Sequence, residues 1–344
     1  MSFSSNSVIA KARAVYGKSL AQEDYLRLCA AGSVSEAAAL LKQMPRYETA
    51  LRDINPQTIH RGQLEALLKK AAFDVFERFH RFDFSDSREF FRYTVMEYEA
   101  EQILTAIECV GASNPNRYIA LLPMFLIEHS RVDLITLGKA RSFSDIARLL
   151  EGTPYEKLLR QLLIEAESSG SINIIECERR IYTYYYISAI KTAEKLYKGT
   201  QLTELKRALL KSVDMENVVT CCRMRAFGMD KDSVKGALLP FRYRINDEAA
   251  ERILQLDSVD KIERELARLG YRTDAAAQLD TVEQLTEKIS MNYLRRLLRL
   301  SGNSAAVYYA LIESLKIEQR NVKTAIEGIR YGLSSGEILA MLVI

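Results

Sequence analysis

The chain predicts an all-α fold, on three observations. Only 6 Pro and 15 Gly occur in 344 residues, and these residues destabilise helix interiors by roughly 3 and 1 kcal/mol. Ala, Leu, Glu, Lys and Arg, all good helix formers, fill much of the remainder. The period-two alternation of a half-buried strand is nowhere sustained. Few breakers mean few turns, and few turns in a long chain mean long helices.

Length argues for more than one module, because single cores stop growing near ~250–300 residues. The 48 basic and 45 acidic residues leave a net charge of +3. That balance lacks the global field of a nucleic-acid binder or a polybasic membrane binder. Five cysteines, an odd number with no C-x-x-C spacing, fit a reduced cytoplasmic compartment. Residues 1–10 lack the charged and apolar regions of a signal peptide. The longest apolar stretch, residues 118–127, contains Pro123 and is about half of the ~20 residues a membrane span needs.

Three landmarks recur in one order, roughly 110 residues apart. The first opens a helix: Ser33-Val34-Ser35-Glu36, Ser142-Phe143-Ser144-Asp145 and Ser258-Val259-Asp260-Lys261. Serine suits an N-cap because its hydroxyl accepts from an unpaired first-turn N–H. Each copy then reaches a tyrosine: Tyr47, Tyr155 or Tyr271. The second landmark is a hydrophobic-Glu pair opening a longer helix, at Leu64-Glu65, Ile175-Glu176 and Val282-Glu283. The third is an apolar residue, an acid, two variable positions, an amide and a β-branched residue. It reads Tyr98-Glu99-Ala100-Glu101-Gln102-Ile103, Val213-Asp214-Met215-Glu216-Asn217-Val218 and Ile317-Glu318-Gln319-Arg320-Asn321-Val322. Four residues later, on the same helix face, come Ile107, Cys222 and Ile326. Copies two and three end in Phe227-Gly228-Met229 and Tyr331-Gly332-Leu333, the pattern of a glycine C-cap. Breakers cluster at 111–115 and 228–240, so the expected modules are 1–112, 113–230 and 231–344, with roughly six helices each. Ile103, Val218, Val322 and their partners four residues on should be core. Gln102, Asn217 and Asn321 should bridge helices by hydrogen bonds.

No catalytic constellation is legible. Gly17-Lys18-Ser19 lacks the glycine five residues before the GK pair, where Ala12 stands, and the preceding residues look helical. His60, His80 and His129 show no metal-ligand spacing. Cys221 and Cys222 are adjacent, so on a helix they point about 100° apart. The recurring acids read as helix-surface ion pairs. Arg179-Arg180-Ile181-Tyr182-Thr183-Tyr184-Tyr185-Tyr186 mixes basic and aromatic residues as single-strand binders do. Tyr182, Tyr185, Tyr186 and Ala189, however, follow the i, i+3, i+4, i+7 spacing of a buried stripe. Lys316, Arg320 and Lys323 form a basic stripe opposite Leu315, Val322, Ile326 and Ile329, read first as a solvated face.

The second and third copies of the last landmark carry a family resemblance. Val213-Asp214-Met215-Glu216-Asn217-Val218, leading to Arg223-Met224-Arg225-Ala226-Phe227-Gly228, resembles the middle signature of the C subunit of A-type/V-type rotary ATPases, the equivalent of the vacuolar enzyme's d subunit. The ending is similar too: Tyr308-Tyr309, Ile317-Glu318, Asn321-Val322, Ile329-Arg330, Gly332-Leu333 and Glu337-Ile338-Leu339. At the start, Ala12-Arg13-Ala14 and Asp24-Tyr25 also fit. Copy one departs, with Gln102 in the amide position and Gly111 out of register.

The resemblance implies three helical modules in a pseudo-threefold funnel. It implies a non-catalytic central-stalk subunit without nucleotide, cofactor or metal. Such a subunit sits on the membrane proteolipid ring, accepts the rotor shaft and links ATP synthesis or hydrolysis to proton or sodium movement. The expected partners are rotor-shaft subunits and the ring, not nucleic acid. The chain should be monomeric alone, with one copy per complex, cytoplasmic and peripheral to the membrane. Arg223, Arg225 and Arg330 are the expected partner contacts, since Arg is favoured at interfaces. A helical scaffold for another complex is the competing reading. A helical enzyme is the third, and a ligand-dependent rise in thermal stability would mark it.

Overall fold

The computed structural model describes residues 3–82, 87–114, 116–272 and 279–344. Every regular element among them is helical. In order they are α1 Phe3–Tyr16, α2 Gln22–Cys29, α3 Val34–Gln43, α4 Arg61–Phe82, α5 Ser87–Phe91 and α6 Tyr93–Gly111. There follow α7 Asn116–Leu121, α8 Leu134–Leu137, α9 Phe143–Leu149, α10 Glu156–Ser169, α11 Ile174–Leu196 and α12 Gly199–Ala226. The last are α13 Lys231–Ala237, α14 Asp247–Leu254, α15 Val259–Arg268, α16 Val282–Leu300, α17 Ser304–Arg330 and α18 Ser335–Met341. A 3-10 turn at Met124–Leu126 precedes α8. Among the described residues, six α-helices lie in each of the stretches 1–112, 113–230 and 231–344.

Local chemistry explains where the helices start. The hydroxyls of Ser33, Ser142 and Ser258 accept from the N–H groups of Glu36, Asp145 and Lys261 at 3.1, 3.0 and 3.4 Å. The hydrophobic-Glu pairs at 175–176 and 282–283 fall in the first turns of α11 and α16, and Leu64-Glu65 lies just past the first turn of α4. Asn173 and Thr281 cap α11 and α16, accepting from Glu176 and Gln284.

Local chemistry also explains where the three helices that carry the third landmark stop. Past α12, Gly228 adopts φ +72°, its N–H reaches the Arg225 carbonyl at 2.8 Å and Met229 N–H reaches Met224 at 3.1 Å. Past α17, Gly332 adopts φ +71° and the equivalent bonds run from Gly332 to Ile329 and from Leu333 to Gly328. This is the Schellman termination. Past α6 the same pair of bonds runs from Ser113 to Val110 at 2.9 Å and from Asn114 to Cys109 at 2.8 Å. Ser113, φ +53°, is the non-glycine among the described residues that takes the left-handed position. It stands fourteen residues past Glu99, as Gly228 does past Asp214 and Gly332 past Glu318. Gly111, the glycine that drew attention in the sequence, is instead the last residue of α6.

The chain packs as two compact units, one of Met1–Ser87, Lys198–Lys231 and Phe241–Ile344, the other of Arg88–Tyr197 and Asp232–Pro240. In the first, α17 packs on α1, α4 and α16, and α12 packs on α14 and α16. Its core joins the two ends of the sequence: Leu28, Leu41, Leu51, Leu64 and Leu68 with Val322, Ile326 and Ile338. In the second, α6 packs on α9 and α11, and α10 on α9 and α11. Leu159, Leu163, Ile181, Tyr185 and Tyr186 are buried there, and Tyr185 and Tyr186 stack edge-on at 4.9 Å. Of the stripe that the spacing predicts, Tyr185, Tyr186 and Ala189 are buried and Tyr182 is half-buried. Ile103, Val218, Val322, Ile107, Cys222 and Ile326 are all buried.

Candidate partner-binding surfaces and the buried acids behind them

The third landmark predicts surface ion pairs for its acids, and the structure corrects this: all three acids are buried. Glu99 is 1% exposed, Asp214 0% and Glu318 6%. A buried carboxylate is tolerated only when hydrogen bonds replace its water. Each finds them from the same two sources, a tyrosine hydroxyl and loop backbone. Tyr155 Oη donates to Glu99 at 3.0 Å, and Arg131 N–H donates to its other oxygen at 2.5 Å. Tyr271 Oη donates to Asp214 at 2.5 Å, joined by the N–H groups of Arg244 at 2.9 Å and Ile245 at 3.3 Å. Tyr47 Oη donates to Glu318 at 3.1 Å, and Leu20 N–H to its second oxygen at 3.0 Å. The tyrosines are the three that end the first landmark. Each acid therefore binds the tyrosine of the next copy along the chain, and the last acid binds the first tyrosine.

The three latches are not electrostatically equal. Arg46 Nε reaches Glu318 at 3.1 Å, while its Nη2 donates to Val15 O and Ser19 Oγ. Both side chains of that pair are under a tenth exposed. Asp214 has no such cation, and its Oδ1 has no hydrogen-bond partner among the described residues. Burial raises the Asp214 carboxyl above its ordinary value, against the pull of its hydrogen bonds from Tyr271 and the backbone. Burial likewise raises the hydroxyls of Tyr47, Tyr155 and Tyr271, and their carboxylate neighbours push the same way.

The amides of the landmark sit one turn further along. Asn321 ties α17 to the C-terminal segment, its Nδ2 donating to Val343 O at 2.7 Å and its Oδ1 accepting from Val343 N at 3.0 Å. Gln102 and Asn217 are buried on α6 and α12.

Where the long helices of the first unit end, the molecule presents apolar groups to water. Phe227 is 82% exposed and Tyr331 70%, with Met229 and Leu333 beside them in sequence. Exposed aromatics flanked by Arg are typical of protein interfaces. The expected contact residues lie here. Arg223 is exposed and pairs with Glu283 of α16 at 2.8 Å, Arg225 is half-buried, and Arg330 is exposed with its guanidinium 5.4 Å from the Tyr331 ring centre. The first turns of α16 bridge the two helix ends, since Glu283 meets Arg223 while Glu287 meets Arg320 of α17 at 2.6 Å. The basic stripe of α17 is split: Lys316 pairs with Glu313, Arg320 with Glu287, and Lys323 is exposed.

Among the described residues, no group of three His, Cys, Asp or Glu is arranged to hold a metal. Gly17-Lys18-Ser19 closes the C-terminal end of α1, with Gly17 N–H on Arg13 O, and follows no strand. All five cysteines are buried and unbridged. Burial pushes the Cys221 thiol up to about 12 and that of Cys222 to about 11. Among the described residues no helix is long and apolar enough to cross a membrane.

A family profile described as "ATP synthase (C/AC39) subunit" matches residues 8–341. The chain belongs to this family. It is accordingly a non-catalytic subunit of an A/V-type ATPase and no enzyme by itself. Similar family members include the A-type ATP synthase C subunit of Thermococcus kodakarensis, 21% identical over 94% of this chain and 86% of the relative. The C subunit of Methanocaldococcus jannaschii is 20% identical over 92% of this chain and 80% of its own length. That of Desulfurococcus is 22% identical over 76% and 67%.

Three features escaped the sequence reading. Arg46 gave a signal, since it directly precedes a landmark tyrosine. Ser113 gave none, because serine does not announce a left-handed turn. The exposure of Phe227 and Tyr331 could have been suspected from their place at glycine-capped helix ends.

Proposed function

We propose that this family member is the central-stalk subunit that links the rotor shaft to the membrane proteolipid ring. In this reading three modules, 1–112, 113–230 and 231–344, form a pseudo-threefold funnel. One copy per complex passes torque between shaft and ring and joins ATP synthesis or hydrolysis to ion movement. The subunit is cytoplasmic and held peripherally on the membrane through the complex.

The observation that carries the reading is the latch that recurs three times, each with a helix termination fourteen residues beyond its acid. A torque coupler must resist shear, and dense helical cores deform little. Latches that tie each long helix to the next copy's short helices stiffen the body where load would pass. Six helices in each expected module support the same division. Phe227 and Tyr331, with Arg223, Arg225 and Arg330, supply a contact surface for a neighbouring subunit.

The test is a tagged pull-down from detergent-solubilised membranes, read by mass spectrometry. The wild-type chain should recover ring and shaft subunits together. Arg225→Glu with Arg330→Glu should lose one of the two sets while the chain stays folded. A clean wild-type pull-down lacking both, from cells that express the machine, would overturn the reading.

A further inference from the structure

Away from the helix ends just described, the first unit holds a concentration of positive charge that the coupling role does not explain. Lys211, on α12, is half-buried with its Nζ 3.9 Å from the ring centre of Tyr293 and 5.5 Å from that of Tyr271. Three guanidinium groups act on it electrostatically: Arg207 one turn back on α12, Arg296 on α16, and Arg244 on the segment before α14. Arg244 lies 5.4 Å from the Tyr271 ring centre and gives its Nη1 to the carbonyls of Leu269 and Gly270. None of the four cations forms an ion pair with a carboxylate among the described residues.

Two acids lie close, and both are committed elsewhere. Asp214 accepts from Tyr271 and the backbone. Glu204 accepts from Ser301 Oγ at 2.7 Å. Like charges so gathered repel one another, most strongly where burial removes water. Burial and the three arginines lower Lys211 to about 8. An arrangement of this kind holds free energy that an incoming anion releases.

We propose that Arg207, Lys211, Arg244 and Arg296 form a seat for an acidic polypeptide segment, an Asp- or Glu-bearing stretch of a partner protein. The half-burial of Lys211 favours a polypeptide over a lipid surface. A planar headgroup layer meets the exposed Arg207 and Arg296, but a carboxylate on a side-chain stem also reaches Lys211 between its two tyrosine rings. The arginines offer forked donors matched to carboxylates. Charge complementarity alone carries this proposal, so it stands or falls separately from the ring-and-shaft reading.

The proposal predicts a pH dependence with a definite sign. A bound carboxylate favours charged Lys211, which is protonated below about 8. Affinity therefore falls as pH rises through that value. The facing groups from every packed element are Glu204, Arg207 and Asp214 on α12, Tyr243 and Arg244 before α14, Tyr271 after α15, and Tyr293 and Arg296 on α16.

The experiment titrates the full chain into fluorescent poly-L-glutamate at about 0.1 M salt, where the screening length is ~10 Å. In parallel it measures binding to phosphatidylglycerol vesicles. Arg207→Gln with Arg296→Gln, both exposed positions, should weaken poly-glutamate binding by about tenfold. Lys139→Gln with Arg264→Gln, the same charge change elsewhere, should leave it intact. The loss of affinity above pH 8 should vanish in Lys211→Met. Equal weakening by both double variants, absence of poly-glutamate binding, or vesicle binding that alone responds to Arg207 and Arg296 would each overturn the proposal.

Discussion

The Glu318 and Asp214 latches solve the same problem with different means. Both acids sit in the first unit, both are buried, and both take a tyrosine hydroxyl and loop N–H groups. Glu318 adds a buried arginine that is itself anchored to Val15 and Ser19. Asp214 takes a second backbone N–H instead and leaves one oxygen unbonded among the described residues. The first is a closed ionic network, in which each member depends on the other. The second is a carboxylate held by neutral donors, which an uncharged acceptor of the same shape could replace.

The largest effect should come from breaking the charged network. Glu318→Gln leaves the Arg46 guanidinium buried without its counter-ion, which costs about 3–5 kcal/mol. Asp214→Asn keeps an acceptor for Tyr271 and Arg244 and breaks no direct ion pair, so its effect should stay within about 1 kcal/mol. Urea unfolding midpoints of the two variants test this directly. Equal losses would mean that the tyrosine and backbone bonds, and not Arg46, set the strength of a latch.

A smaller effect should separate the helix terminations of the two units. Ser113 holds φ +53° where its counterparts are glycine. A side chain in that region is strained by roughly 1 kcal/mol or more. Ser113→Gly should raise stability by about 1 kcal/mol, while Gly228→Ala and Gly332→Ala should lower it by a similar amount. No atom stands within 4 Å of a Cβ added at either glycine, so backbone conformation alone is at stake. A destabilised Ser113→Gly would show that the serine side chain has a role of its own in the turn.

What could be read from the sequence follows from how local each feature is. The caps at Ser33, Ser142 and Ser258 each span four consecutive residues, so local spacing is enough to read them. The acids and tyrosines were both legible as recurring positions, yet their pairing was not. Glu99 and Tyr155 are 56 residues apart, Asp214 and Tyr271 57, and Glu318 and Tyr47 271. No helical period links residues at such distances, and an acid on an otherwise apolar face reads as exposed until its partner is known. The same reason hid the cluster around Lys211, which three separate segments build. The recurring order points to boundaries at 112 and 230, whereas the compact units divide at 87, 197, 231 and 240. A latch joins the long helix of one copy to the tyrosine of the next, so compactness and sequence order follow different boundaries.

The finest test of the comparison is pH. Burial raises the Asp214 carboxyl in the folded chain above the ordinary value of 3.8. The folded state therefore holds this proton more tightly than the unfolded state does. Over the window from 3.8 up to the raised value, the unfolded chain releases the proton first, and stability falls as pH rises. Asp214→Asn has no proton to lose and lacks this term. The stability of the wild-type chain relative to Asp214→Asn should therefore decline between acidic and neutral pH, by less than the Glu318→Gln effect. Subtracting the variant removes the other titrating groups, which both chains share. A difference that instead grows in favour of the wild type as pH rises would mean that three hydrogen-bond donors outweigh burial at Asp214. The two latches would then be electrostatic equals, and Arg46 would be an addition to a carboxylate already satisfied.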